Sequence, residues 1–397
     1  MIEIPAVMKT NTRFRRLAMA TALASLFSYA AALTITQALI SEMGRYYGIT
    51  TSKLSWLYFA QMTGFLVAIL WAGGYSDRNG KLPILIGGAI VMAVGAFVLV
   101  WPSTFVIAII AVLLMGIGGG LSEGSSMALV ADIYRGPRQT PMLNCSQAIF
   151  GVGAVTTPLI ISVLLHAGIK WQYGFIGVGI SCTISAVLAY TAFIMRYEKP
   201  VGSHSETANW RTILSDRLVL WLAIGLMLYV GSECGQACWL TAYFERYLGS
   251  APYQAAYSPA FFWMGITFGR LAGAWTLKYM TEITLIRWCL GLAALCQATL
   301  LTLNTSISGF IATLALGFCL GPLFPTIASY AAAAYPQASG TVFALVSAFG
   351  SIGNAVFAPV IGGLADVAGM RPALWTCFVL LIVNLSIFLK IRKRRSV

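Results

Sequence analysis

Charge is what this sequence has least of. Asp, Glu, Lys and Arg make up 9% of its 397 residues, against about 25% in an ordinary soluble domain, and that shortage excludes a soluble globular protein. Acids are the scarcer sign, 12 against 25 Lys and Arg, and there are only two histidines. His166 lies at the edge of an apolar run and His204 in a polar stretch, neither with Cys or acids at ligand spacing, so catalytic zinc has no basis. No Ser stands with His and Asp in a nucleophile-elbow setting, which removes the usual hydrolase chemistry. The chain is therefore not expected to be an enzyme, and no cofactor or metal is expected. Eight cysteines all fall inside apolar stretches, without paired spacing in polar loops, which excludes a disulfide framework. Cys234 and Cys238 share a helix face but have no further ligands nearby.

Apolar residues fill the remainder. They make up 59% of the chain, with a mean hydropathy of +0.82, close to the number that twelve spans of about 20 residues require. Uninterrupted windows fall near 17–41, 52–74, 82–101, 104–131, 142–167, 172–195, 217–242, 258–278, 284–304, 307–331, 340–364 and 373–390. The first is too long for the core of a cleaved signal peptide and reads as a retained span. The breaks are short and rich in Gly, Pro or charge. The longest, 196–216, is polar and central, so the chain is expected to comprise a six-helix bundle over 1–195, a linker over 196–216 and a second bundle over 217–397. The expected fold is an all-α membrane protein of twelve transmembrane helices in two pseudo-symmetric bundles.

The cations explain the high pI without nucleic acid. With the amino terminus placed inside, 19 of the 25 lie in segments on that side, only Arg45, Lys53, Lys170, Arg246 and Arg371 lie opposite, and Arg270 lies within a span. That bias predicts both termini in the cytoplasm, in contact with water and anionic headgroups.

A shift of 201 residues superimposes Gly64 on Gly265, Gly116 on Gly317, Gly120 on Gly321, Tyr134 on Tyr335 and Pro158 on Pro359. Several matches at one offset favour two similar halves, the arrangement in which a solute site forms at the midplane. GIGGG at 116–120 follows no strand and lies in an apolar span, so it reads as small-residue helix packing rather than a phosphate loop.

Ionisable groups deep in a bilayer are costly and mark functional candidates. Three qualify: Glu123 in span four, Glu233 in span seven and Arg270 in span eight. Glu233 and Arg270 lie at similar depths, so a buried ion pair between them is expected. It is either purely structural or a site where Glu233 accepts from solute hydroxyls while Arg270 donates. Further candidates are the amides of Gln37, Gln61, Asn144, Gln147, Gln236 and Asn354, and the rings of Tyr29, Tyr229, Trp239 and Trp263. Gln236 and Trp239 gain weight from their spacing to Glu233.

Between spans two and three the sequence reads GGYSDRNGK, with Gly73, Asp77, Arg78, Gly80 and Lys81 in the places of a G-x-x-x-D-R-x-G-R/K motif. This resembles the signature loop of the major facilitator superfamily. The resemblance implies a conformational latch in which Asp77 pairs or caps a helix in one state, the plain alternative being a charged turn that sets topology. GIGGGLSEGSS at 116–126, LNCSQAIFGVGAVTTPL at 143–159, LYVGSECGQACWLTAYF at 228–244, FFWMGITFGRLAG at 261–273 and LGFCLGPLFPTIAS at 316–329 are similar to the fucose, galactose and glucose proton-symporter branch. That likeness implies proton-coupled sugar uptake by alternating access, with Glu123 at the acidic position of the fourth helix as proton carrier. One departure stands out: the first span, Leu17 to Ser41, carries no acid where fucose permease has one. An arginine in the eighth helix is also the carboxylate ligand of the monocarboxylate-transporter branch, so an organic anion centred on Arg270 is the alternative. Drug or metabolite export is another, although the G-x-x-x-G-P-x-x-G-G pattern of superfamily antiporters is missing from GVGAVTTPLII. A membrane receptor or scaffold without transport is a reading of another class. Expected partners are a small-molecule substrate and the lipid bilayer of a bacterial inner membrane, with the chain a monomer and a proton, or sodium in its place, as the coupling ion.

Overall fold

In a computed structural model, residues 12–101, 104–134, 139–195, 215–333 and 339–391 are described. Among them the regular structure is helical throughout. The helices are α1 (Thr12–Tyr47), α2 (Thr51–Asn79), α3 (Lys81–Val98), α4 (Phe105–Ile133), α5 (Gln139–His166), α6 (Gly174–Ile194, preceded by a 3-10 turn at Trp171–Tyr173), α7 (Arg217–Arg246) and α8 (Ser258–Thr276). They continue with α9 (Glu282–Thr302), α10 in two pieces (Ser306–Leu320 and Leu323–Ala333), α11 (Ser339–Ala368) and α12 (Met370–Lys390). Each expected span is matched by a helix. Eleven of the twelve are long and apolar enough to cross a bilayer. The exception is α8, whose apolar run is diluted by Arg270, three glycines and two tryptophans.

The helices overrun the expected windows chiefly at their polar ends. α1 continues to Tyr47 through Glu42 and Arg45, because a helix needs only backbone hydrogen bonds to continue once outside hydrocarbon. It stops at Gly48, whose φ of 62° only glycine adopts without strain. Pro158 and Pro359 lie inside α5 and α11, as helix-spanning prolines can where neighbours satisfy the freed carbonyls.

By its contacts the chain forms two compact units. One comprises Met1–Thr36 and Ala60–His204, the other Gln37–Phe59 and Ser205–Val397. Residues 37–59, the end of α1 and the beginning of α2, thus cluster with the helices of the second half.

In the first unit, α3 packs on α4 and α6. One core cluster joins Phe14, Ala18 and Ala22 of α1 to Leu82 and Leu85 of α3, Leu129 and Val130 of α4, and Ala189 and Ala192 of α6. Its many alanines let backbones approach closely, as membrane packing favours. In the second unit, α7 lies along α11, α8 along α10 and α9 along α12.

The repeat seen in the sequence reappears as matching contacts. In the first unit, a Cβ on Gly64 would strike the carbonyl of Leu113, on Gly116 that of Gln61, and on Gly120 that of Phe65. In the second unit, a Cβ on Gly265 would strike the carbonyl of Leu314, on Gly317 that of Phe262, and on Gly321 that of Ile266. Every glycine and every partner in the second set stands 201 residues after its counterpart. The α2–α4 seam is built a second time as the α8–α10 seam.

Candidate functional site

The most polar buried region of the second unit is on α7. From Leu228 to Phe244 every residue is buried, including Tyr229, Glu233 and Gln236. A carboxylate at 5% exposure is costly to hold without partners. Tyr229, one turn away on the same face, interacts with the Glu233 carboxyl through its hydroxyl, yet neither that hydroxyl nor Glu233 Oε1 has a well-formed hydrogen bond. Half-buried Arg270 of α8 acts electrostatically on both, and its buried Nε is also unpartnered.

The expected Glu233–Arg270 ion pair is not formed. Ion pairs among the described residues include Arg45 with Glu42, Arg45 with Glu245, and Lys81 with Asp132, but not this one. The reason is placement: the two charges lie on separate helices, close enough to interact electrostatically and beyond ion-pair distance. Together they offer an acceptor, a donor and a phenol, each with bonding capacity to spare.

Around this trio, other candidate residues are already engaged. Trp263 of α8 donates through Nε1 to Gln37 Oε1 at 2.9 Å, and Gln37 Nε2 donates to the Tyr58 hydroxyl at 3.3 Å. Tyr58 in turn reaches Cys234, and Thr241 Oγ1 donates to the Gln37 carbonyl at 3.0 Å. Gln236 Oε1 accepts from Gln297 Nε2 at 2.9 Å, and Trp239 Nε1 donates to the Ala358 carbonyl at 2.9 Å. These bonds fix α7 against α1, α2, α9 and α11, and Gln37 ties α8 to α1. Asn354 is half-buried on α11.

The remaining candidates belong to the first unit. Glu123 of α4 is half-buried beside Ser122, Ser125 and Ser126, which are buried and whose hydroxyls lack partners. Tyr29 stacks on Phe65 with centroids 5.3 Å apart and tilts against Phe150, with Gly119 making room for its ring. Gln61 Nε2 donates to the Ala32 carbonyl at 3.0 Å, and Gln147 Nε2 approaches Met127 Sδ at 3.5 Å. In the signature loop, Gly80 takes φ 89° and Lys81 Nζ bonds Asp132 Oδ2 at 2.8 Å, tying the start of α3 to the end of α4. The side chains of Gly73, Asp77, Arg78 and Asn144, and the linker at 196–214, lie outside the described residues.

Sequence reasoning passed over Tyr58, Thr241 and Gln297, and weighed Cys234 only as a metal ligand. Gln297 had a readable signal, a lone amide within the apolar run LCQATLL. Tyr58 had none, since a tyrosine near a span end is ordinary at a membrane interface.

The family model of the major facilitator superfamily matches residues 21–316. The chain belongs to the major facilitator superfamily. It is an integral, multi-pass membrane transporter and not an enzyme. Among curated proteins it is similar to protein TsgA of Escherichia coli O6:K15:H31, 23% identical over 368 residues that cover 89% of each chain. It is also similar to the TsgA homolog of Yersinia enterocolitica, 21% identical over 358 residues, covering 89% of this chain and 90% of that one. Among solved structures it resembles a bacterial homolog of the human lysosomal transporter Spinster in its inward-facing, unoccupied conformation. The TM-score is 0.77 at 12% identity, covering 95% of this chain and 97% of that one. The occupied inward-facing form of that homolog matches with the same TM-score at 13% identity. This superfamily fold is what the structural likeness carries.

Proposed function

We propose that this transporter takes up a small polar solute of zero net charge, a monosaccharide or a close relative, in symport with a proton. The observation that carries the reading is the Glu233–Arg270 arrangement: opposite charges within electrostatic reach, not joined, each with an unpartnered buried atom. The pair sums to zero, so a neutral solute with several hydroxyls satisfies both groups without bringing uncompensated charge into the membrane. Glu233 accepts from hydroxyls, Arg270 donates to ring or carbonyl oxygens, and the Tyr229 hydroxyl serves in either role.

In this reading Glu123 carries the proton. Its half-burial and its neighbouring serine hydroxyls support a group that exchanges protons with water. Under a membrane potential each entering proton is worth about 2.3 kcal/mol per 100 mV, sufficient to concentrate a neutral solute roughly fiftyfold. The cation distribution supports both termini in the cytoplasm of a bacterial inner membrane. The chain acts as a monomer, and sodium takes the proton's place only if accumulation follows a sodium gradient.

The test is flux in proteoliposomes bearing a pH gradient, with sugars, monocarboxylates and amino acids as solutes. The reading requires accumulation of an uncharged solute that the gradient drives and that Glu123→Gln abolishes while counterflow persists. Preferential accumulation of a monocarboxylate would establish the organic-anion reading centred on Arg270, and absence of flux a receptor or scaffold.

A further inference from the structure

The first unit holds a cavity of about 430 Å³ that shares no residue with the candidate site, where α1 begins and α4 ends. One end is polar, with Thr12, Arg15 and Arg16; the other is apolar, with Met19, Ala20 and Leu23 one to two turns further along α1. The facing wall is Tyr134, the residue that ends α4. The Arg15 guanidinium lies over the Tyr134 ring, 4.4 Å from its centroid, a cation–π contact that orders the side chain without an acid. Among the described residues neither Arg15 nor Arg16 has a carboxylate partner, and Asp132, two residues before Tyr134, is engaged by Lys81.

This order of polar and apolar walls matches the edge of a bilayer. The apolar run of α1 starts at Leu17, so the two arginines lie at headgroup level. Met19, Ala20 and Leu23 lie roughly 5–10 Å deeper, at 1.5 Å per residue, among acyl chains. A phosphodiester held by the arginines, with its first methylenes along the deeper residues, satisfies both ends together. Guanidinium groups take phosphate through paired N–H donors, and alkyl groups cover apolar wall that water would otherwise wet. A soluble anion fills only the polar end, and a neutral chain only the other. The volume is within the range of small-ligand sites.

The groove is not a by-product of the repeat. The 201-residue offset also pairs Arg45 with Arg246, each in the last turn of its helix, so α1 and α7 are in register. At that offset Arg15 falls on Asp216, which caps α7 by accepting from the Leu218 N–H at 2.8 Å, and Ala20 falls on Trp221. The second half thus has an acid in place of the stacked arginine and an indole in place of a methyl group.

We propose that this cavity binds an anionic glycerophospholipid of the surrounding leaflet, its phosphate on Arg15 and Arg16 and its upper chain against Met19, Ala20 and Leu23. The bound lipid braces the start of α1 against the end of α4 through the Arg15–Tyr134 contact. The site is independent of the solute and of the coupling ion.

The experiment measures the tightest-bound lipid on full-length protein in detergent by native mass spectrometry. The probes are dioleoylphosphatidylglycerol, dioleoylphosphatidylcholine with the same chains, and glycerol 3-phosphate as competitor. Phosphatidylglycerol is expected to bind at least tenfold more tightly than phosphatidylcholine, and Arg15→Gln with Arg16→Gln to remove that preference. Lys278→Gln with Lys390→Gln, an equal loss of charge from the second unit, is expected to leave the affinity within twofold. Ala20→Trp, at an exposed position, keeps every charge and fills the groove as Trp221 would. It is expected to weaken phosphatidylglycerol binding at least fivefold, and it decides the matter if the arginine variant does not fold. Equal affinity for the two lipids, unaltered affinity in Ala20→Trp, or as large a loss in the lysine pair as in the arginine pair would overturn the site. So would full displacement by millimolar glycerol 3-phosphate, which would make the ligand a soluble phosphate ester. No solute is present, so a failed symport assay beside selective lipid binding removes the solute assignment and leaves this site standing.

Discussion

The indole of Trp263 and the amide of Gln37 meet at 2.9 Å, Nε1 donating to Oε1, with both residues buried. The bond joins α8 to α1, and the same amide passes on to Tyr58 of α2. Trp263→Phe keeps most of the ring and leaves Gln37 Oε1 orphaned. A stranded buried acceptor costs about 1–3 kcal/mol. The expected outcome is a lowered melting temperature in detergent with solute affinity changed less than tenfold. A greater loss of affinity in isothermal titration would move Trp263 from scaffold to binding surface.

Glu233 and Arg270 are expected to behave as a unit. Removing one partner leaves the other charge buried and uncompensated, whereas removing both does not. Glu233→Gln and Arg270→Gln should each weaken solute binding by tenfold or more and each destabilise the protein. The double variant should recover much of the melting temperature and none of the binding. Additive stability losses in a double-mutant cycle would show the two groups to be independent.

The duplicated glycine seam gives a paired prediction. Gly64→Val and Gly265→Val both drive a side chain into a backbone carbonyl of the facing helix, which rotamer changes cannot relieve, and overpacking of this kind costs at least about 1–3 kcal/mol. Gly87→Ala and Gly291→Ala, where no atom lies within 4 Å of an added Cβ, are the controls. Yield of monodisperse protein on size exclusion should fall sharply for the valines and hold for the alanines. A tolerated valine in one seam alone would mean that the two are not equivalent.

Lys81 and Asp132 pair at 2.8 Å with side chains 16% and 35% exposed. A partly exposed pair is worth at most about 1 kcal/mol after screening by solvent. Asp132→Asn should therefore lower the melting temperature slightly at low ionic strength, with the difference shrinking as salt is raised. A difference that persists at 1 M salt would point to packing or hydrogen bonding rather than charge.

Much of the architecture was legible because membrane burial writes a coarse signal. A helix that must hide every backbone group in lipid needs about 20 apolar residues, so spans announce themselves by length. The one weak span, α8, is weak because Arg270 interrupts it, which is also why it drew notice. The 201-residue repeat was readable from glycines, since close backbone approach leaves no other residue to choose. The partners of the polar groups were not readable. Gln37, Gln236, Trp239 and Trp263 look alike in sequence whether they face a solute or one another, because hydrogen bonding across helices depends on rotation and register that periodicity does not encode. The absent Glu233–Arg270 ion pair belongs to the same class: depth along a helix follows from counting, lateral distance does not. Asp366, which accepts from the backbone N–H of Thr51, was passed over because that helix start lies more than 300 residues away.

That Leu113 and Leu314, Gln61 and Phe262, and Phe65 and Ile266 offer their carbonyls to glycines in like manner means that the chemistry of the contact has outlived the identity of the residues making it. The arrangement is that of one module of six rods, about 200 residues long, joined to its own duplicate. Selection since then has been free to rewrite side chains wherever only main-chain oxygen is touched. The intramembrane charges differ between the halves: one has an acid on its fourth rod, the other an acid on its first and an arginine on its second.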